Sequence, residues 1–249
     1  MSENKSKLSV HAGSLILVNA DHPCRTECTD LVPVSAQTPS CQMKTEAAGM
    51  LSGLLEAIEG YRTIIPVSGW RSRREQTEIW DNSIAESGID FTKKYVALPG
   101  CSEHQTGLAI DLALRSEHVD FIRPYFPHDG VCEAFRQRMT EFGYIERYPN
   151  GKETITGISY EPWHFRYVGV PHAAVMTEHG WTLEEYIDLL RCYLYFGKGF
   201  RTSWRGAEYR ISFVPEAERN ILFELQIQKN IFISGNNTDG FIVTEQVAL

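Results

Sequence analysis

Apolar residues recur at helical spacing in several stretches of the chain. Residues 43–60 carry them at positions 47, 50, 51, 54, 55 and 58, which predicts a helix that ends at Gly60. A second helix is predicted from Ser72 to about Gly88, because Ser72 and Glu75 have the spacing of a capping box. The two remaining predicted helices span 131–142 and 182–196, and the latter opens with another capping box.

Continuous or alternating apolar runs outside these helices predict β-strands. They lie at 14–20, 64–70 and 107–114 and, as a pair broken at Pro162, within 155–169, and 31–34 is a short extended piece. After Gly197 the chain changes to short apolar runs, YRISFVP, ILFELQIQ, IFISG and GFIVTE, which predict strands joined by polar turns. We interpret 198–249 as a small β appendage to a main domain of 1–197. Helices and strands do not alternate regularly, so the predicted fold class is α+β, with a largely antiparallel central sheet flanked by helices.

Composition narrows the function classes. Of the 249 residues 43% are hydrophobic, the formal net charge is -8, and no basic run is present, which argues against nucleic acid as a partner. No stretch reaches the roughly 18 apolar residues of a membrane span. Residues 1–10 lack the apolar core of a signal peptide, so we expect a cytoplasmic protein. The six cysteines are dispersed and expected to be free thiols; a loose zinc knuckle at Cys24, Cys28 and Cys41 is the less favoured alternative.

A candidate metal site begins in the stretch PGCSEHQTGLAIDLAL, residues 99–114. Asp111 alternates with small alanines on one face of the predicted strand, and a buried carboxylate is costly unless something pairs with it. His104 precedes it, and His164 would lie just inside a later strand that begins near 163. If the two strands lie side by side, His104, Asp111 and His164 converge as three zinc ligands, with a fourth position open for water as in catalytic sites.

Four further residues are candidates for catalysis or substrate binding. Glu161, three positions before His164, would act as general base. Arg71, at a strand-to-helix turn, would stabilise a developing oxyanion, and Gln76 and Ser102 would donate to a substrate carboxylate. Taken singly, each of these residues is more often structural than functional, so the prediction depends on the set. Four other histidines, expected at the surface, are His118, His128, His172 and His179.

Three motifs in order resemble the zinc D-alanyl-D-alanine carboxypeptidases of the VanY type: SGWRSRREQ (68–76), SEHQTGLAID (102–111) and EPWHFR (161–166). The resemblance covers roughly 15–196. It implies the small α+β fold shared with hedgehog-like domains and one zinc ion as cofactor. The residue roles it implies are metal ligands His104, Asp111 and His164, base Glu161, carbonyl and oxyanion contacts from Arg71, and contacts of Gln76 and Ser102 with the substrate C-terminus.

Within that family the expected absence of an anchor or export signal favours the cytoplasmic VanXY type. That resemblance implies hydrolysis of the D-Ala-D-Ala dipeptide, removal of the terminal D-Ala from UDP-MurNAc-pentapeptide, and vancomycin resistance. Small peptides would be its partners. Two alternatives stay open: an L,D-carboxypeptidase acting on tetrapeptides, and a non-catalytic zinc module that binds cell-wall peptides or a protein.

Overall fold

The computed structural model describes residues 8–247, so the first seven residues of the segment expected to lack a signal peptide lie outside it. The chain forms two compact units. Of the described residues, one unit contains Val18–Tyr186 and the other joins 8–17 to 187–247. This division differs from the boundary predicted between residues 197 and 198: part of the predicted main domain, at both of its ends, belongs to the unit that contains the predicted appendage.

The regular elements are numbered along the chain. The α-helices are α1 (Thr45–Ala57), α2 (Arg73–Ser87), α3 (Ile89–Tyr95), α4 (Gly130–Arg138), α5 (Glu153–Thr156), α6 (His172–His179), α7 (Leu183–Leu190) and α8 (Leu222–Leu225). The strands are β1 (Leu31–Ser35), β2 (Thr38–Lys44), β3 (Ile64–Ser68), β4 (Ala109–Leu114), β5 (Tyr144–Glu146), β6 (His164–Tyr167), β7 (Phe200–Trp204), β8 (Ala207–Pro215), β9 (Ile231–Gly235) and β10 (Gly240–Val247). Short 3-10 helices lie at Gly60–Arg62, Glu103–Thr106, Met139–Phe142 and Glu216–Ile221.

The Val18–Tyr186 unit is built on a four-stranded antiparallel sheet in the order β3-β4-β6-β5. Strand β4 is central and buried, and Asp111 lies directly opposite His164 of β6. Strand β3 is at the edge, where Pro66 is tolerated because an edge strand can lack one hydrogen-bond donor. The register shifts between Pro66 and Ser68, just before the chain leaves the sheet towards Arg71.

Helix starts follow the capping signals in the sequence. The hydroxyl of Ser72 accepts from the backbone N–H of Glu75, and the Glu75 carboxylate accepts from the backbone N–H of Ser72 at 2.7 Å. Thr182 and Glu185 form the same reciprocal pair at the start of α7. Both capping boxes predicted from the sequence are therefore confirmed.

The second unit contains another four-stranded antiparallel sheet, in the order β7-β8-β10-β9. One of its clusters of buried residues is entirely apolar and consists of Val214, Leu222, Leu225, Ile231, Phe241 and Val243. Partly buried Leu8 and Val10 pack against this cluster, so residues at the two ends of the described chain share one core.

Several predicted elements are wrong in type. Residues 14–20 are buried but form no strand, because the backbone N–H groups of Leu15 and Leu17 donate to Ser234 and Asn236 instead of to a strand ladder. The run ILFELQIQ forms no strand and contains the short helix α8, in which Leu222 and Leu225 are buried at a spacing of three. The remaining differences are α3 in the predicted loop after Gly88, α5 at the start of 155–169, and the unpredicted elements β2, β5, β7 and α6.

The cysteines and the helices of the described residues agree with the sequence predictions of free thiols and of no membrane-spanning helix. All six cysteines are free. Among the described residues, His104, Asp111 and His164 form the only group of three or more potential ligands placed to hold a metal ion, so Cys24, Cys28 and Cys41 form none. None of the helices between residues 8 and 247 is both long and apolar enough to traverse a bilayer.

Candidate active site

The three candidate ligands come from three adjoining pieces of backbone. His104 lies in the 3-10 helix that precedes β4, Asp111 lies in the middle of β4, and His164 is the first residue of β6. All three are buried, and one potential ligand atom from each lies within 4.8 Å of the other two. The predicted convergence of these residues is therefore confirmed as geometry.

The Asp111 carboxylate is the centre of the cluster. Its Oδ2 lies 3.2 Å from Nε2 of His104, and its Oδ1 lies 2.9 Å from Nδ1 of His164. The two imidazole rings meet edge to face with their centroids 5.0 Å apart. Two ring nitrogens thus point at one carboxylate from different sides.

The orientation of His104 shows that a cation fits here. Its Nδ1 lies 2.6 Å from the carbonyl oxygen of Gly69, and a carbonyl can only accept, so Nδ1 carries the proton. In the neutral ring Nε2 then presents a lone pair to Asp111 Oδ2, which is also an acceptor. A metal ion between the two atoms satisfies both, and an N,N,O donor set is typical of zinc.

Two glycines allow the backbone to hold His104 in this place. A Cβ on Gly69 would lie 2.2 Å from the carbonyl oxygen of Gln42, so no other residue fits the turn that supplies the carbonyl. Gly107 ends the 3-10 helix with a φ of 70°, and a Cβ there would press on Cys28 and Lys44. The positive φ and the close neighbours of Gly107 explain why the SEHQTGLAID motif has a glycine at this position.

The candidate base and cation border the same cluster. Glu161 lies in the turn before β6, as predicted, with Oε2 3.8 Å from Nδ1 of His164. The Arg71 guanidinium donates from Nη2 to Asp111 at 3.4 Å and from Nη1 to Gln76 Oε1 at 3.0 Å. Its Nε is buried and makes no hydrogen bond to any residue of the described chain.

Gln76 and Ser102 also line the pocket that contains the cluster. Gln76 already uses both ends of its amide, because it accepts from Arg71 and donates to the carbonyl of Ala97 at 2.8 Å. Its visible contact therefore orients Arg71. A direct contact of either residue with substrate stays a prediction.

Burial and neighbouring charges set the pKa values in the cluster. Burial lowers the pKa of His104 to about 4, helped by the Arg71 charge. Burial also acts to lower the pKa of His164, but the adjoining carboxylates of Asp111 and Glu103 outweigh it and raise that pKa to about 9. Burial would raise the pKa of Asp111, yet the two imidazoles hold it well below its ordinary range. Burial raises the pKa of Glu161 to about 8.

Sequence reasoning missed two features of the site. Tyr148 lines the pocket with its ring centroid 4.8 Å from that of His164, and no motif had singled it out. Glu103 is completely buried between Ser102 and His104 and is paired with Arg147 and Arg166. An acid directly beside a predicted ligand was the available signal for Glu103.

Comparison with known proteins places this site in a family. A family model described as VanY, D-alanyl-D-alanine carboxypeptidase, matches residues 40–170. The bifunctional D-Ala-D-Ala dipeptidase and D-Ala-D-Ala carboxypeptidase VanXYC of Enterococcus gallinarum is 45% identical over 180 residues, covering 71% of this chain and 95% of that protein. The chain belongs to the VanY family. The resemblance predicted from the three motifs is confirmed.

Solved structures extend the likeness of this VanY-family chain to the fold. It matches the vancomycin-resistance D,D-dipeptidase VanXYg, solved in complex with a D-Ala-D-Ala phosphinate analogue, with a TM-score of 0.89 and 45% identity over 96% of this chain and 95% of that one. A variant of the D,D-pentapeptidase VanY from a VanB-type resistance cassette, solved in complex with Zn(II), matches with a TM-score of 0.57 and 32% identity over 70% of this chain and 98% of that one. The predicted α+β class is confirmed.

Proposed function

We propose that this VanY-family chain is a zinc-dependent D,D-peptidase that hydrolyses D-Ala-D-Ala and removes the terminal D-Ala from UDP-MurNAc-pentapeptide. Such an activity depletes the precursor ending that vancomycin binds and so contributes to glycopeptide resistance. The observation that carries the proposal is the convergence of His104, Asp111 and His164 in one pocket with Glu161 and Arg71. The 45% identity to a bifunctional dipeptidase and carboxypeptidase supports it.

The metal would be held by His104, Asp111 and His164, whose donor set suits zinc. When bound, zinc supplies a Lewis acid that polarises the scissile carbonyl and lowers the pKa of water. The protein contributes the geometry: the Gly69 carbonyl fixes one ring, and the β4–β6 pairing fixes the carboxylate opposite the other ring.

Glu161 would act as the general base. Its carboxylate reaches towards the cluster from the side of His164. A carboxylate in this place can accept a proton from the attacking water and pass it to the leaving amine. The backbone hydrogen bond from Glu161 N–H to the carbonyl of Tyr148, at 3.1 Å, holds the turn in place.

Arg71 would stabilise the negative charge that develops on the scissile carbonyl oxygen. Its guanidinium is anchored through Gln76 and Asp111, and the buried Nε makes no hydrogen bond to any described residue, so this donor is available to a substrate oxygen. A fixed donor of this kind stabilises the transition state without reorganisation. Ser102 would meet the substrate C-terminus, and so would Gln76 through the second N–H of its amide, since its other N–H donates to the Ala97 carbonyl.

The test supplies the zinc-loaded protein with D-Ala-D-Ala, D-Ala-D-Ser, UDP-MurNAc-pentapeptide and a tetrapeptide ending in L-Lys-D-Ala. We expect free D-Ala from the dipeptide and the pentapeptide, and loss of that release after chelation. Release from the tetrapeptide alone would identify an L,D-carboxypeptidase instead. Zinc binding without release from any of the four would favour a non-catalytic module.

The Glu161→Gln variant tests the base assignment in the same assay. It keeps the size of the side chain and removes the proton acceptor, so turnover should fall by roughly 10²–10⁴-fold while zinc stays bound. Glu178→Gln, on the exposed end of α6, is the matched control and should hydrolyse like the parent chain. Near-normal turnover in Glu161→Gln would refute the assignment.

The cytoplasmic location stays a prediction that cell fractionation would test.

A further inference from the structure

A buried set of charged residues adjoins the candidate metal ligands on the side away from Asp111. Glu103 and the guanidinium groups of Arg147 and Arg166 have no exposed side-chain surface. Glu184 completes the set, with its side chain 12% exposed. The two acids and two arginines have no net charge together, so each buried charge is paired with an opposite one within the set.

Glu103 divides its two carboxylate oxygens between different partners. Oε1 accepts from Nε of Arg147 at 2.9 Å and from Nη1 of Arg166 at 2.7 Å. Oε2 accepts from neither arginine and lies 3.5 Å from Nε2 of His164. The two arginines therefore hold one oxygen and aim the other at a metal-ligand candidate.

The facing atoms of Glu103 and His164 have no alternative partner. Oε2 and Nε2 are both buried, and neither makes a regular hydrogen bond to any residue of the described chain. Buried polar groups are nearly always paired, and these two face each other. They can pair as donor and acceptor only if Nε2 carries the proton, because a carboxylate accepts.

We infer that Glu103 is a positioning residue that keeps the proton of His164 on Nε2 and thereby turns the Nδ1 lone pair towards the metal position. This inference rests on the proposed zinc site. Nδ1 is the atom that lies beside Asp111 and Glu161, so the proton on Nε2 leaves the nitrogen facing the cluster free to bind the ion. A carboxylate behind a ligating histidine also raises the basicity of the ring.

The rest of the set makes Glu103 suited to this task. Arg147 is itself held by Glu184 through two contacts, Nη1 at 2.9 Å and Nη2 at 2.6 Å. Its backbone N–H donates to the carbonyl of His164 at 3.2 Å, so the strand that carries the ligand and the arginine that holds Glu103 are tied together. Rigid support of this kind limits how far the imidazole can rotate.

The experiment compares Glu103→Gln with Glu184→Gln. Each removes one negative charge from the same buried set, but only the first touches His164. Both variants should unfold at a lower temperature without metal. Zinc affinity, measured by competition with a chromophoric chelator, should fall 10–100-fold in Glu103→Gln. It should fall much less in Glu184→Gln, which loosens Arg147 but leaves the Glu103 carboxylate beside His164. Equal zinc affinity in the two variants overturns the inference and leaves the proposed function standing.

A second measurement uses the parent chain and does not depend on a variant that folds. In the zinc-loaded protein labelled with ¹⁵N-histidine, the proton of His164 should be found on Nε2, and it should exchange slowly because it is buried against a carboxylate. A proton on Nδ1, with Nε2 bound to zinc, overturns the inference. A parent chain that takes up no zinc overturns both the inference and the proposed function.

Discussion

The two four-stranded antiparallel sheets of this chain differ in whether they bury charged side chains. In the Val18–Tyr186 unit, the paired strands β4 and β6 bury Asp111, His164 and Arg166. In the other unit, strands β8, β9 and β10 contribute Val214, Ile231, Phe241 and Val243 to a wholly apolar cluster. The hydrogen-bond ladders are alike, so the difference lies in the residues that the two sheets enclose.

This contrast distinguishes residues that stabilise the fold from residues that are candidates for metal binding and catalysis. Burying hydrocarbon stabilises a fold by about 25 cal/mol per Å², whereas burying a charge costs free energy unless it is fully paired. A sheet that encloses acids, histidines and arginines therefore gives up stability, and its pocket is where chemistry is expected. Substitutions in the two sheets should accordingly have different consequences.

The largest effect is expected at Asp111. Asp111→Asn keeps the shape of the side chain but replaces a charged ligand with a neutral amide, so zinc should bind weakly and D-Ala release should fall roughly 10³-fold or more. Zinc content by elemental analysis and a turnover assay check both outcomes. The control is Asp188→Asn, whose side chain is 72% exposed and should change neither. Full zinc content in Asp111→Asn would mean that the buried charge of this sheet is not needed to bind the metal, and the comparison of the two sheets would fail.

The matching test in the apolar sheet is Phe241→Ala. Phe241 is completely buried in the cluster, so its truncation should lower the free energy of unfolding by about 3–5 kcal/mol. Thermal and urea unfolding measure the loss, and turnover per folded molecule should stay close to that of the parent chain. Phe232→Ala on β9, where the ring is 61% exposed, is the control and should cost at most about 0.5 kcal/mol. A loss of activity without a loss of stability would contradict the comparison.

A smaller effect on catalysis is expected at Arg71. Arg71→Lys keeps the charge but loses the planar guanidinium group. In the parent chain that group donates to Gln76 and Asp111 through its two Nη atoms and keeps Nε as a further donor. kcat/KM for the dipeptide should fall about 10²-fold, which is roughly 2.7 kcal/mol, with zinc affinity unchanged. Arg74→Lys, whose side chain is 85% exposed, is the control. Equal kcat/KM in the two variants would exclude Arg71 from transition-state binding.

The same contrast explains what could be predicted from the sequence. The candidate ligands could be predicted because Asp111 stands out among alanines and leucines. Helices α2 and α7 could be predicted because their capping boxes are local signals. Residues 14–20 were misassigned because their backbone partners, Ser234 and Asn236, lie more than two hundred positions away in the sequence. Apolar spacing alone does not distinguish a strand from buried irregular chain.

His172 is a second case in which tertiary context decided the outcome. The sequence predicted a surface histidine, and that prediction is wrong: the side chain is buried at the start of α6, with Nδ1 2.8 Å from the hydroxyl of Tyr186. No residue near His172 in the sequence indicates that its side chain is buried, because its partner Tyr186 belongs to another helix. Burial lowers the pKa of His172 to about 3.

That burial predicts the smallest of the effects, a dependence of stability on pH. The native state keeps His172 neutral down to about pH 3, whereas the unfolded chain takes up a proton below its ordinary pKa of about 6.5. The unfolded state therefore binds more protons between these values, and stability falls as the pH decreases through this window. From pH 7.5 to 5.5 the contribution of His172 should amount to about 1.4 kcal/mol, since one pKa unit corresponds to 1.36 kcal/mol.

The measurement is urea unfolding of metal-free parent chain and His172→Gln at both pH values. At pH 7.5 the difference between them reports lost packing and the lost contact with Tyr186. At pH 5.5 the difference should shift by about 1.4 kcal/mol in favour of the variant, because glutamine does not titrate. A difference that does not change with pH would mean that His172 is protonated to the same extent in both states.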